Sequence, residues 1–223
     1  RLAFVAAFLL GILSLILQQA MIEDDGQRGT AEKRPAHLWR SMSPDLRNLL
    51  VSDILIRFAE QIPYAFVVVW CIKLNGISAV QFGLLTTIEM ATAMLVYIPV
   101  AWLADRSTKK PFVLITFINF TIFPLFLLFS HSFGMMVIAF IIRGLKEFGE
   151  PTRKALIMDL APEDRKAGMF GLYYLIRDVI VSGAAFAGGF LWQLSPAINL
   201  LAATACGVLG TAYFAARGRD LKQ

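Results

Sequence analysis

The sequence predicts an all-α membrane protein with seven transmembrane helices. Hydrophobic residues make up 57% of the 223 residues and charged residues only 17%, a balance well beyond that of a soluble domain. The apolar residues fall in long blocks, and a bilayer core of about 30 Å needs roughly 20 such residues per helical crossing. Basic residues collect at the ends of these blocks. An anionic membrane surface accounts for them, so the net charge of +5 does not indicate a nucleic-acid partner.

Seven apolar blocks define the predicted spans. They cover residues 2–22, 48–72, 80–104, 111–130, 133–158, 169–193 and 197–216. Only one connection is long: residues 23–47 are polar and rich in charge, which is a linker composition. The chain thus divides into a first transmembrane helix (1–22), a linker (23–47) and a six-helix bundle (48–223). Short loops in the bundle make helices that are adjacent in sequence pack antiparallel.

The first apolar block could be mistaken for a signal peptide. It lacks a cleavage site made of small residues and continues into an acidic and then basic loop, which favours a true span. The chain opens at Arg1 rather than at a methionine. We therefore expect a fragment of a longer protein or a processed product.

Positive charges predict the orientation of the bundle. With seven spans, the basic loops all fall on one side, which is then the cytoplasmic side of the plasma membrane (the inner membrane in a bacterium). The linker and the C-terminus are both on that side. The basic residues concerned are Arg28, Lys33, Arg34, Arg40, Arg47, Arg106, Lys109, Lys110, Arg165, Lys166, Arg217, Arg219 and Lys222.

The residue inventory argues against several other functions. Cys71 and Cys206 are far apart in apolar blocks, and His37 and His131 are isolated, so we expect no disulfide framework, metal site or cofactor. No nucleophile or metal-binding motif of an enzyme appears, and an enzyme is not expected. A seven-helix receptor remains an alternative, although residues 197–216 lack the lysine that a retinal protein would need.

Ionisable side chains inside the spans are the candidate functional residues. An isolated charge at mid-membrane costs on the order of 3 kcal/mol, so such side chains must face the bundle interior or a wet cavity. Arg57 and Glu60 can pair on one helical face, whereas Glu89 has no charged neighbour in its own span. The predicted solute or proton pathway comprises Arg57, Glu60, Gln61, Glu89, Arg143, Glu147 and Glu150.

Other charges lie closer to the span ends and are interpreted as structural ion pairs at the cytoplasmic interface. They are Asp53, Lys146, Arg153, Lys154, Arg177 and Asp178. Within the fifth span, Arg143, Glu147 and Glu150 follow helical spacing and are expected to form a stripe on one face. Prolines at 63, 99, 124 and 151 invite kinks. The small residues around Gly188 and Gly207 are expected to let helices approach closely.

Residues 97–110, YIPVAWLADRSTKK, resemble the loop signature of the major facilitator superfamily, G-x-x-x-D-R-x-G-R/K-R/K. Ala101 and Thr108 replace the two glycines, while the acidic and basic positions match. A second stretch, ALIMDLAPEDRKAGMFGLYY, is similar to the family's next cytoplasmic connection. Arg143 followed by Gly149 is similar to an arginine motif of the same region. The order, spacing and membrane side of these matches agree with the family over nearly the whole chain.

The resemblance implies a secondary transporter that carries a small solute across the bilayer by alternating access. Spans two to seven would form the family's C-terminal half bundle, and span one would end its N-terminal half, whose five other helices are absent from this chain. It also implies a cytoplasmic latch in which Arg106 pairs with Asp159. The latch residues are Asp105, Arg106, Lys109, Lys110, Asp159 and Arg165.

The sequence leaves the substrate and driving ion open. Arg57 and Arg143 favour an anionic solute, whereas the aromatic content favours a lipophilic one. Buried Glu60, Glu89 and Glu147 are compatible with proton coupling. A protein with this fold that has lost transport and serves as a sensor or scaffold is the other alternative.

Overall fold

The computed structural model describes residues 2–21, 35–104 and 107–220, and the regular structure in these ranges is helical. The long helices are α1 (Leu2–Met21), α3 (Pro44–Tyr64), α5 (Ala79–Ala104), α6 (Lys110–Leu128), α9 (Lys166–Leu194) and α10 (Pro196–Arg217). The shorter ones are α2 (Pro35–Ser41), α4 (Val67–Val69), α7 (Phe133–Leu145) and α8 (Glu150–Leu160).

Helix α1 belongs to a unit of its own, residues Arg1–Ala31. Its 20 residues include no charged side chain. Its described apolar segment, Phe8–Met21, is shorter than the roughly 20 residues that a full crossing needs.

Helices α2 to α10 form the second unit, Glu32–Gln223. Among the described residues, four helical segments are long and apolar enough to cross a membrane: Ala79–Val100, Lys110–Leu128, Glu163–Leu194 and Pro196–Arg217. Pro44–Tyr64 and Val67–Leu74 would be a fifth if this pair, bent by 41°, is one broken span. These segments coincide with predicted spans to within a few residues. The membrane-protein fold class is therefore supported, and the count of seven spans stays a prediction.

Part of the predicted linker is helical. Residues 35–41 form α2, and α3 already begins at Pro44 rather than at residue 48. Ser43 caps α3 by accepting a hydrogen bond from the backbone N–H of Leu46 at 3.2 Å, and Pro44 occupies the first turn. A serine cap followed by proline is a strong helix start, and it moves the helix boundary into the polar segment.

Helix α3 lies at the centre of the second unit, in contact with α6, α8, α9 and α10. Its Ile56 is fully buried. Gly188 of α9 faces Ile62 so closely that an added Cβ would lie 2.2 Å from the Ile62 carbonyl oxygen. The expected close approach at Gly188 is confirmed, and only glycine fits it without a shift. At Gly207 of α10, an added Cβ would lie 2.7 Å from Thr121 Oγ1 of α6.

The prolines do not all act alike. Pro63 directly precedes the 41° bend between Pro44–Tyr64 and Val67–Leu74, in agreement with the expected kink. Pro99 and Pro124 lie inside α5 and α6, which continue through them. Pro151 occupies the first turn of α8, where a missing N–H costs no helical hydrogen bond.

The predicted fifth span is not one continuous α-helix. It consists of α7, a 3₁₀ turn over Lys146–Gly149, and α8. Gly144 and Gly149 flank the break, and both lie against backbone of neighbouring helices: added Cβ atoms would lie 2.6 Å from the Glu89 carbonyl oxygen and 2.4 Å from that of Phe112. The 3₁₀ turn alters the helical register between Arg143 and Glu150.

Candidate functional site

A chain of buried ion pairs runs through the second unit. Acidic and basic side chains alternate along it, and they come from α3, α5, α7, α8, α9 and the 3₁₀ turn between α7 and α8. We call it the ion network. In spatial order its members are Asp178, Arg177, Asp53, Arg153, Glu150, Arg57, Glu60, Lys146, Glu89 and Arg143.

One end of the ion network is tightly packed. Arg153 Nη1 donates to Asp53 Oδ2 at 2.5 Å, and Arg153 Nη2 donates to Glu150 Oε2 at 2.8 Å. The Tyr173 hydroxyl donates to the same Asp53 oxygen at 3.0 Å. The Asp53 and Arg153 side chains are only 1% exposed. Charges buried this completely are tolerable only when paired and hydrogen-bonded. We call this group, with Arg177, the packed end.

The other end surrounds a small cavity. Lys146 Nζ donates to Glu60 Oε1 at 2.8 Å and lies 3.9 Å from Glu89 Oε1. Arg143 Nε approaches the same Glu89 oxygen at 3.2 Å. Glu60, Lys146 and Arg143 are each 13–15% exposed. These four residues form the cavity end. Arg57 joins the two ends, because it pairs with both Glu150 and Glu60.

The cavity has a volume of about 10 Å³, the room of one water molecule. Its polar lining includes Glu60, Asn119, Arg143 and Lys146, so a water there would find several partners. Aromatic rings cover the cations: the Arg143 guanidinium carbon lies 5.3 Å from the centre of the Phe123 ring, and Lys146 Nζ lies 5.7 Å from that of Phe120. The rings exclude most water while leaving the charges attracted to their faces.

The expected stripe on the fifth span does not hold as one row, because the 3₁₀ turn separates its members. Arg143 pairs with Glu89, and Glu150 pairs with Arg57 and Arg153. Glu147 makes no hydrogen bond or ion pair within the described part of the chain. It lines a groove beside one face of α5.

The remaining predicted pathway residues are placed as follows. Arg57 and Glu60 form the expected pair, with Arg57 Nη1 donating to Glu60 Oε2 at 2.7 Å. Glu89, without a charged neighbour in its own helix, is reached by Arg143 from α7. Gln61 is half-buried and makes no side-chain hydrogen bond to any residue that the structure describes.

The predicted latch is described only in part. Asp105 and Arg106 lie outside the described residues, so the Arg106–Asp159 pair stays a prediction. Within the described ranges Asp159 forms an ion pair with Lys109.

The other latch residues also contact neighbouring segments. The Lys110 backbone N–H donates to Asp220 Oδ2 at 2.9 Å, and its ammonium donates to the Ala215 carbonyl at 3.0 Å. Arg165 contacts Asp164 at 2.9 Å and His37 at 3.1 Å. The segment before α6 is thus tied to α8 and to the C-terminal end of α10.

Several residues of the site were not singled out by sequence reasoning. The Tyr173 hydroxyl donates a hydrogen bond to Asp53. The Tyr174 ring lies 4.1 Å from the Arg177 guanidinium carbon. Asn199 donates to the carbonyls of Ile62 and Gly188, at 3.2 and 2.8 Å, beside the α3 bend. A buried polar residue in an apolar block was the only signal for Asn199, and the tyrosines carried none.

Among the described residues, no cluster of three or more histidine, cysteine, aspartate or glutamate side chains could hold a metal ion.

Apolar helices around an internally compensated set of charges define an integral membrane protein with a polar interior. The chain belongs to the Major Facilitator Superfamily, whose sequence model matches residues 2–223. It is also similar to an uncharacterized MFS-type transporter of Methanocaldococcus jannaschii, with 28% identity over 105 residues. That match covers 47% of this chain and 26% of the relative.

Proteins of this family are membrane transporters rather than enzymes.

Proposed function

We propose that this chain forms the C-terminal half bundle, with the preceding helix, of a secondary active transporter that works by alternating access. The ion network is the observation that carries the proposal. Ion pairs link five helices and a 3₁₀ turn. The pairs of the cavity end share partners and can exchange them when the helices move. The relative is longer than the matched region, which covers 26% of it. A second bundle with five further helices would supply the facing wall of the pathway.

The basic loops support a cytoplasmic location for residues 23–47 and for the C-terminus, in the plasma membrane (the inner membrane in a bacterium). Cysteine labelling of position 35 in intact cells tests this orientation. Labelling of this position by an impermeant reagent from outside would contradict the proposed orientation.

The cavity end suggests how protons could drive transport. Lys146 is shared between Glu60 and Glu89, at 2.8 and 3.9 Å. Protonation of one of these carboxylates removes its charge, so Lys146 would be held by the other acid alone. Such an exchange of partners would move the 3₁₀ turn relative to α3 or α5, and it would couple a proton to the rearrangement of the bundle.

Glu60, Glu89 and Glu147 replaced singly by glutamine test the coupling in proteoliposomes that contain the full-length transporter. A coupling acid loses uphill flux driven by a pH gradient and keeps downhill exchange, because only the proton-dependent step is removed. Glu163→Gln is the matched control, since that side chain is 88% exposed and lies in the short 3₁₀ turn before α9.

Normal uphill flux in all three variants would contradict proton coupling and would favour facilitated diffusion or another driving ion. Absence of any flux in the wild-type protein, over a panel of solutes, would instead favour a sensor or scaffold.

A further inference from the structure

The charge balance of the interior indicates the sign of the solute. Each cation of the ion network has at least one carboxylate within 4.0 Å: Arg57, Arg143, Lys146, Arg153 and Arg177 are all compensated. An anionic solute would have to displace one of these carboxylates. Glu147, by contrast, has no cation within salt-bridge distance among the residues that the structure describes. Among these described residues, the charge that lacks a partner is therefore the negative charge of Glu147.

Glu147 lies at a groove of the size that small ligands occupy. The groove is open rather than enclosed, and its volume of about 460 Å³ falls in the range of ligand pockets, roughly 300 to 1,000 Å³. Apart from Glu147, its lining comes from one face of α5 at helical spacing: Met90, Ala93, Met94, Tyr97 and Ile98.

The lining chemistry selects among cations. Methionine side chains adapt to ligands of different shape, and an aromatic ring such as that of Tyr97 attracts a cation to its face. A metal ion would need several oxygen ligands, whereas the described lining offers one carboxylate and one phenol. A large, weakly hydrated cation with apolar substituents satisfies both the carboxylate and the apolar wall.

We propose that Glu147 and this face of α5 bind a lipophilic organic cation, such as an aryl-substituted phosphonium or quaternary ammonium compound. The inference rests on the proposed transport function for its meaning as a substrate site, and it names the substrate class. Met94 and Ile98, each 75% exposed, form the apolar wall of the groove, and Glu147 supplies the charge that selects a cation.

Equilibrium dialysis of radiolabelled tetraphenylphosphonium against the full-length protein in detergent tests the site without any gradient. Tetraphenylborate, which has nearly the same shape and the opposite charge, is the ligand control. We expect Glu147→Gln to weaken tetraphenylphosphonium binding by roughly tenfold or more, the effect of losing one partly desolvated charge pair. Glu147→Asp should retain part of the affinity, and Glu163→Gln should bind as wild type.

Met94→Trp provides a second variant, which fills the groove and leaves the carboxylate in place. It should weaken binding by reducing the available volume. Equal binding of tetraphenylphosphonium and tetraphenylborate, or wild-type affinity in either variant, would overturn the proposal and would leave the groove as a surface for lipid chains. If Glu147→Gln fails to fold, the binding measured with Met94→Trp and with tetraphenylborate tests the proposal by itself.

The two proposals fail differently. Specific binding of the cation without flux in proteoliposomes would contradict the proposed transport function and support the proposed binding site. Flux of another solute without cation binding would contradict the proposed binding site and support the proposed transport function.

Discussion

The packed end and the cavity end of the ion network use the same residue types in different surroundings. At the packed end the Asp53 and Arg153 side chains are 1% exposed, and Tyr173 adds a hydrogen bond to Asp53. At the cavity end Glu60 and Lys146 are 14% and 13% exposed and border a space for one water. A fully packed ion pair cannot exchange partners without unfolding its surroundings, whereas a pair beside a cavity can. We therefore expect the packed end to stabilise the fold and the cavity end to exchange ion-pair partners.

The largest expected effect is at the packed end. Asp53→Asn leaves Arg153 and Arg177 without their shared carboxylate, and removing one partner of a buried pair costs about 3 to 5 kcal/mol. The thermal unfolding midpoint of the purified protein should fall strongly. Asp178→Asn is the control, because Asp178 is 61% exposed and Arg177 keeps Asp53. An exposed pair of this kind contributes about 1 kcal/mol or less.

A stable Asp53→Asn protein would break the comparison, since the packed end would then have no greater structural role than the cavity end.

The next effect concerns the fit of α7 against α5, which brings Arg143 to Glu89. A Cβ at Gly144 would lie 2.6 Å from the Glu89 carbonyl oxygen and 2.6 Å from Thr92 Cβ. Gly144→Ala should therefore separate these helices and destabilise the protein by about 1 to 3 kcal/mol. Uphill flux should fall further than this loss of stability explains, because the cavity end is disturbed directly.

Gly134→Ala is the matched control in the same helix, where an added Cβ meets nothing within 4 Å. Similar flux in the two alanine variants would show that the contact of α7 with α5 does not position the cavity end.

The smallest effect on stability is expected at the predicted latch. Lys109 and Asp159 are 18% and 36% exposed, so their pair contributes about 1 kcal/mol or less. Its effect on flux should be larger than on stability if the pair holds one conformation. Asp159→Lys should lower flux, and combination with Lys109→Asp should restore it by re-forming the pair.

The double variant Arg106→Asp with Asp159→Arg tests the partner that the sequence predicts. Restoration by this combination alone would show that Asp159 pairs with Arg106 during transport. Asp105→Asn should also impair flux without impairing folding. Normal flux in that variant would contradict the predicted latch.

Part of the site was predictable because it depends on spacing within one helix. Arg57 and Glu60 are three residues apart, and their pair follows from helical geometry. The same helical geometry predicted a stripe of Arg143, Glu147 and Glu150. These residues do not form one row, because a 3₁₀ turn interrupts the α-helical period between them. Two glycines that pack against neighbouring backbones flank this turn, and nothing within the segment's own sequence reveals those neighbours.

Hydrophobic blocks alone determined that this chain is a helical membrane protein, because water and hydrocarbon discriminate residue types independently of what surrounds them. Tertiary structure decided which acid lacks an ion pair among the residues that the structure describes. Glu89 lacks a charged neighbour in its own helix and is paired by Arg143, whereas Glu147, four residues from Arg143, is left at the α5 groove. Compensation of a buried charge depends on distances of a few ångströms between helices, and those distances are set by packing across the bundle.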